Sequence, residues 1–205
     1  MPDSVRAKYY EHRAPVYDAT SYRGNPETDA GLDLETAEIG DLLPRSLPAD
    51  GRILEVGCGT GVWTQFLPGR VTAMDQSQGM LDIARTRAPH AQLVKAAFPP
   101  LPFPEDAFDL VFAANFYGLL VADERDAFLA EASRVARELV ILDLRSDGRT
   151  HMEGLEHREV DGVPYPIFRR RFTPSSLLTE LGGDVLYPGR YFLVVRAPLR
   201  KDRQC

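Results

Sequence analysis

The chain has 205 residues, 44 % of them hydrophobic and 26 % charged, with a formal net charge of -6; this is ordinary globular usage, enough for one buried core, and it excludes a largely disordered or fibrous chain. The acidic balance opposes a polyphosphate partner and no stretch approaches the roughly 20 apolar residues that cross a bilayer, so neither nucleic acid nor membrane is an expected partner. Cys58 and Cys205 are the only cysteines and show no CxxC or Cys/His spacing, so no disulfide framework and no metal site is expected; without a secretory pattern in residues 1–10, a cytoplasmic protein is.

Residues 4–45 read as helical pieces around a broken stretch, 20–28, that contains Gly24 and Pro26. From residue 52 the pattern becomes regular. Ile53, Leu54, Glu55 and Val56 make a buried-strand run that ends at Gly57, Gly59 and Gly61, with a helix expected from there to about Phe66. Residues 71–75 form the second strand, and Ser77 is the N-cap of a helix through Met80, Ala84 and Arg87. A short third strand covers 92–95. Pro99, Pro100, Pro102 and Pro104 then make 98–104 an extended loop.

Residues 108–114 form the fourth strand, 122–137 a helix with Phe128, Ala132, Val135 and Ala136 on one face, and 139–144 the fifth strand. Residues 158–172 read as a hairpin turning at Asp161-Gly162, after which Thr173 and Pro174 open a helix. A closing hairpin joins 185–187 to 191–195 around Pro188-Gly189. Arg169-Arg170-Arg171 reads as a solvated strand or hairpin edge rather than a nucleic-acid patch. Strands alternating with helices predict an α/β fold with a mainly parallel sheet.

Glu55-Val56-Gly57-Cys58-Gly59-Thr60-Gly61 places three glycines at alternate positions, where missing side chains let a ligand approach the backbone. The expected helix would aim amide N–H groups at a carboxylate. A dinucleotide turn of the form GxGxxG requires glycine where Val62 stands, and no Tyr-x-x-x-Lys pair is present, which disfavours a dinucleotide oxidoreductase. Asp75 ends the second strand, where a carboxylate can accept both hydroxyls of a ribose; this alone does not separate dinucleotides from other nucleosides.

The run 53–61, Met74-Asp75-Gln76-Ser77 with Met80-Leu81, Leu101-Pro102-Phe103 before Phe108-Asp109, and residues 10–18 together resemble the class I S-adenosylmethionine-dependent methyltransferases. The likeness is closer to their small-molecule branch, related to the ubiquinone and menaquinone methyltransferases, and runs over nearly the whole chain. It implies a Rossmann-like fold: a seven-stranded, mostly parallel sheet with an antiparallel last strand, helices on both faces, and S-adenosylmethionine across the carboxyl ends of the early strands.

Carried over by position, Glu55, Gly57, Gly59 and Gly61, with Thr60 among them, hold the amino-acid end, Asp75 the ribose, and Gln76 and Met80 the adenine surroundings. Asn115 faces the methionine or the substrate. Relatives commonly carry an acid after the third strand that accepts from the adenine amino group; here Ala97 stands there, so the backbone near it or the ring of Phe98 is left to hold the base. Tyr17 matches the tyrosine of an APxYD-like stretch, Ala14-Pro15-Val16-Tyr17-Asp18.

Methyl transfer from a sulfonium is an in-line displacement, so alignment can supply most of the rate and no acid or base is obligatory. Candidates for the acceptor pocket are Tyr9, Tyr10, His12, Tyr17 and Tyr22, then Asn115, Phe116 and Tyr117; each also suits plain packing. His12, His151 and His157 suit either a general base or a surface hydrogen bond; His151 and His157, which precede the hairpin, rank above His90. Trp63 reads as packing. Asn115-Phe116-Tyr117 lacks the prolines of the Asn-Pro-Pro-Tyr element that serves nucleobase and amide methylation, which leaves a small-molecule acceptor.

The expected function is transfer of a methyl group from S-adenosylmethionine to an O, N, S or C nucleophile, giving S-adenosylhomocysteine. The alternative is a protein that binds S-adenosylmethionine without transferring methyl, as a rearrangement or cyclisation catalyst or a sensing module. A single domain, monomeric or homodimeric, is expected: 1–45 a helical cover, 46–145 the cofactor-binding half, and 146–205 the substrate-side half with a hairpin insertion.

Overall fold

The computed structural model describes residues 3–21, 25–147 and 152–199. Its strands are β1 (Arg52–Val56), β2 (Arg70–Asp75), β3 (Gln92–Lys95), β4 (Leu110–Ala114), β5 (Glu138–Leu144), β6 (Glu153–Val160), β7 (Val163–Arg170), β8 (Asp184–Pro188) and β9 (Phe192–Pro198). Seven of them form one sheet in the order β3-β2-β1-β4-β5-β9-β8, while β6 and β7 pair apart from it. β1 is parallel to β2 and β4, and β4 to β5; β9 runs antiparallel to β5 and β8. The expected doubly covered sheet with an antiparallel last strand is therefore present.

The helices are α1 (Asp3–Arg13), α2 (Tyr17–Thr20), α3 (Pro26–Ser46), α4 (Gln78–Arg87), α5 (Ala122–Val135) and α6 (Pro174–Leu181). Asn25 caps α3 by accepting from the Glu27 and Thr28 amides, Ser77 caps α4 and Thr173 caps α6, each satisfying end amides that have no partner within the helix. Alternation along the strands divides the core. Leu54 and Val56 face Phe128 and Leu177 on one side, whereas Ile53 and Phe112 face Ile39 and Leu43 on the other. Every residue of β4 is buried, as a strand covered on both faces requires.

Three expectations are corrected. No α-helix follows the glycine turn: only Thr64–Phe66 forms a single 3-10 turn. Gly57, Gly59 and Gly61 take φ of 74°, 54° and 79°, and the few residues left before Pro68 are too short to recover the cost of nucleating a helix. Trp63 instead packs edge-on against Phe192, with ring centroids 5.5 Å apart.

The hairpin is longer than its sequence suggests, with Glu153 paired to Arg170 and the turn at Asp161 and Gly162, whose φ are 49° and 77°. Its polar, mostly exposed first strand lacks the apolar alternation that marks a half-buried one. Nor is the arginine run a solvated edge. Arg169 is buried against Asp143, Arg170 pairs with Glu180 and Arg171 with Glu156, because β7 lies against α1 and the turn at Tyr117–Leu119.

Candidate active site

At the carboxyl end of β1 the chain turns through its three glycines. The amides of Gly57 and Cys58 both donate to the Met74 carbonyl, at 2.9 and 3.0 Å, which seals the turn to β2. A Cβ on Gly57 would lie 2.5 Å from the Phe116 ring, and one on Gly61 3.2 Å from Ala84 of α4, so these two glycines allow close packing. Gly59 differs. With φ at 54°, a Cβ there would meet nothing within 4 Å.

Asp75, at the end of β2, accepts the Gly59 amide on one oxygen and the Ser77 amide on the other, each at 2.9 Å. Burial raises its pKa and these amides work against that rise. One carboxylate thus ties the glycine turn to the start of α4.

A cavity of about 620 Å³ opens over the carboxyl ends of β1, β2 and β4. Gly57, Gly59, Asp75, Gln76 and Met80 line it, together with Phe98, Asn115 and Tyr17. Ala97 does not; its neighbours Ala96 and Phe98 do. An adjoining cavity of about 1040 Å³ shares Tyr17, Gly57, Gly59 and Asn115, and reaches Thr60 and Trp63. Asn115, on both walls, has a left-handed φ of 53° and a buried Oδ1 with no hydrogen-bond partner among the described residues, an arrangement that a ligand donor would relieve.

Thr60 serves a clamp that sequence reasoning missed. Its hydroxyl donates to Asp18 at 2.7 Å and accepts from Arg87 at 2.8 Å, and Arg87 pairs with Asp18 at 2.6 Å. The residue after Tyr17 is thereby held over the glycine turn. Asp18 stands within the APxYD-like stretch, while nothing local marks Arg87.

Glu55 points away from both cavities. Only 1 % exposed, it accepts the Thr64 hydroxyl at 2.6 Å, and burial pushes its pKa up to about 8. Tyr117 is also core: its ring stacks on Phe172 at 5.7 Å and its hydroxyl donates to Glu180 at 3.1 Å. His12 joins α1 to the hairpin through the Tyr165 hydroxyl at 3.0 Å and Asp161 at 3.2 Å, and lines none of the cavities described here. His157 is exposed on β6. Tyr22 and His151 lie outside the described residues.

A third cavity, of about 300 Å³, lies between the N-terminal helices and the hairpin. Tyr9, Tyr10, Arg13 and Tyr17 form one wall, and Glu156, Arg158, Ile167 and Arg169 the other. Tyr10 and Tyr17 also line the first cavity, so the two spaces share a wall. Among the described residues no group of three or more His, Cys, Asp or Glu side chains is placed to hold a metal ion, and no helix is long and apolar enough to cross a membrane.

Residues 53–138 match the methyltransferase domain family. The chain is 31 % identical to a malonyl-[acyl-carrier protein] O-methyltransferase of Serratia marcescens over 146 residues, 68 % of this chain and 55 % of that protein. It is 28 % identical to the ubiquinone/menaquinone biosynthesis C-methyltransferase UbiE of Campylobacter jejuni over 184 residues, 84 % of this chain and 72 % of that one. The chain spans about half the length of several of the curated relatives it matches.

Among solved structures, a DhpI complex with SAM and HEP superposes with a TM-score of 0.71 at 24 % identity, covering 95 % of this chain and 97 % of that one. A Burkholderia thailandensis 1,6-didemethyltoxoflavin-N1-methyltransferase superposes with a TM-score of 0.64 at 18 % identity, covering 97 % and 90 %. At these identities the likeness speaks for the fold. Taken with the sheet order, it shows the Rossmann-like fold of the class I methyltransferases, within which residues 53–138 match the methyltransferase domain family.

Proposed function

We propose that this protein binds S-adenosylmethionine in the first two cavities and transfers its methyl group to a small-molecule acceptor. The observation that carries this reading is the open space at Gly59, where both cavities meet above a carboxylate already fixed by two amides. The residues present fit the cofactor. Asp75 offers a buried acceptor for a sugar diol, Met80 and Phe98 form an apolar slot for a base, and Asn115 sits by the glycine backbone with an unsatisfied oxygen.

When bound, the cofactor supplies an electrophilic methyl group on a sulfonium. The chain supplies position. Asp75 and the glycine backbone hold the nucleoside and its amino-acid tail, while Phe98 and Phe116, packed edge to face at 6.1 Å, exclude water. Tyr10 and Tyr17, common to the first and third cavities, mark where an acceptor would meet the methyl group, and alignment at that junction lowers the barrier. In this reading 46–145 hold the cofactor, and 1–45 with the hairpin of 146–205 enclose the acceptor.

Calorimetric titration with S-adenosylhomocysteine and with NADH tests cofactor choice, and only the first is expected to bind. Methyl-labelled cofactor offered with phenols, thiols, amines and carboxylic acids tests transfer. Label in any acceptor supports the enzyme, whereas tight binding with no transfer favours a protein that only binds the nucleoside.

A further inference from the structure

Trp63 is the only tryptophan of the chain, and its packing against Phe192 leaves one part of it unexplained. The residue is 6 % exposed, yet among the described residues its indole N–H donates to no protein acceptor, whereas a buried tryptophan ordinarily finds one. The nitrogen is not sealed in the core, and the residue lines the second cavity. The donor opens onto that space.

Two further donors belong to the same wall. Thr60, 1 % exposed, and Trp63 itself have backbone amides with no acceptor among the described residues, and an orphaned buried N–H is rare. Asn115, which also lines this cavity, brings the buried Oδ1 that has no partner. The one cation in the lining is already engaged, since Arg87 donates to the Thr60 carbonyl at 2.8 Å and pairs with Asp18 at 2.6 Å. The cavity thus holds unpaired neutral donors and an unpaired acceptor, a set that a ligand with both a carboxylate and an ammonium group satisfies at once.

We infer that Trp63 is a cofactor-binding residue: its indole N–H donates to the carboxylate of the amino-acid tail in the second cavity, beside the Thr60 and Trp63 amides, while Asn115 Oδ1 accepts from the tail's ammonium group. This rests on the cofactor reading above and adds the side chain that grips the tail. With open solvent set aside, the cavity keeps about 320 Å³; at about 10–15 Å³ of such space per water, it admits the roughly eight non-hydrogen atoms of the tail. Neutral donors suffice for a carboxylate because each such bond is charge-assisted, and they leave the pair of Asp18 and Arg87 intact.

The test titrates the full chain with three compounds by calorimetry. S-adenosylhomocysteine carries the whole tail, S-adenosyl-3-thiopropylamine keeps the ammonium group but lacks the carboxylate, and 5′-methylthioadenosine lacks both. S-adenosylhomocysteine is expected to bind about tenfold or more tighter than the thiopropylamine compound, the scale of lost charge-assisted hydrogen bonds. Trp63→Phe keeps a ring against Phe192 and removes the N–H, so it should shrink that ratio several-fold and leave the two compounds without a carboxylate close to their parent affinities. A loss of packing alone would weaken all three alike. Because the chain has a single indole, its fluorescence reads the contact with no substitution at all: emission should shift with S-adenosylhomocysteine and hold with the other two.

An unchanged ratio in Trp63→Phe, equal affinity of the parent for all three compounds, or an emission shift that is the same for all three overturns the inference while leaving the cofactor reading in place. Binding of none of the three to the parent overturns the cofactor reading, and this inference with it.

Discussion

The Asp75 carboxylate accepts the Gly59 amide at 2.9 Å across the mouth of the first cavity. The acid proposed to hold the ribose therefore also holds the turn beneath it. Asp75→Ala should weaken S-adenosylhomocysteine by about 1.5–3 kcal/mol, on the order of 10- to 100-fold, measured by calorimetry, and should lower the melting temperature as well. Unchanged affinity in that variant would displace the ribose from this residue.

Gly57 and Gly59 separate packing from binding. At Gly57 a methyl group would stand 2.5 Å from Phe116, so Gly57→Ala should destabilise the fold by several kcal/mol, from overpacking of about 1–3 and a left-handed backbone cost of about 1–2. At Gly59 only the backbone cost applies, because the added methyl enters open space. Gly59→Ala should melt near the parent and yet fail to bind S-adenosylhomocysteine. A variant of Gly59 that binds normally would remove the observation on which the cofactor site is built.

Glu55 makes stability depend on pH. Burial raises its pKa from 4.5 to about 8 in the folded protein, so its proton is bound more tightly folded than unfolded. The resulting stability is fully present below the unfolded value and is lost as pH rises through the folded one, at about 1.4 kcal/mol per pH unit within that window. Denaturant melts from pH 4.5 to 8 should show Glu55→Gln gaining on the parent as pH increases. A constant difference between the two would refute the buried, protonated carboxyl.

Asp18 should matter for binding more than for folding. Its pair with Arg87 is partly exposed, with 28 % and 38 % of the two side chains open to solvent, so Asp18→Ala is expected to change stability by no more than about 1 kcal/mol. Losing the tie to Thr60 frees the segment that covers the glycine turn, and KM for S-adenosylmethionine should rise while kcat holds. A fall in kcat at constant KM would argue for a different role.

Arg169 and Asp143 form the opposite case, with side chains 5 % and 0 % exposed. Burial raises the Asp143 pKa, and Arg169 together with the Gly118 and Leu144 amides opposes the rise. Arg169→Met should destabilise the protein by about 3–5 kcal/mol by leaving a buried charge poorly compensated. Adding Asp143→Asn to that variant should recover part of the loss in urea melts, and no recovery would mean that Arg169 acts through packing alone.

Local chemistry sufficed for much of this protein. Apolar runs of strand length, the caps Ser77 and Thr173, the Asp161-Gly162 reversal and the glycine turn with Asp75 are each read from neighbouring residues, because backbone preference and periodicity act over a few positions. The same locality misled where the answer lay elsewhere. A helix after the glycines looked natural until Trp63 found Phe192, and Glu55 looked like a ligand until Thr64 drew its carboxylate into the core.

What the amino-acid order determined by itself is the alternating sheet-and-helix plan and the turn that can admit a nucleoside. The tertiary structure alone decided that Arg13 and Arg158 line one cavity, that Asp18 reaches Arg87, and that the arginine run meets Asp143, Glu180 and Glu156. Contacts of this kind join residues as far apart as the 153 positions between His12 and Tyr165. Charges leave no periodic trace in the chain, so only the packing of the hairpin on the N-terminal helices shows which of them meet.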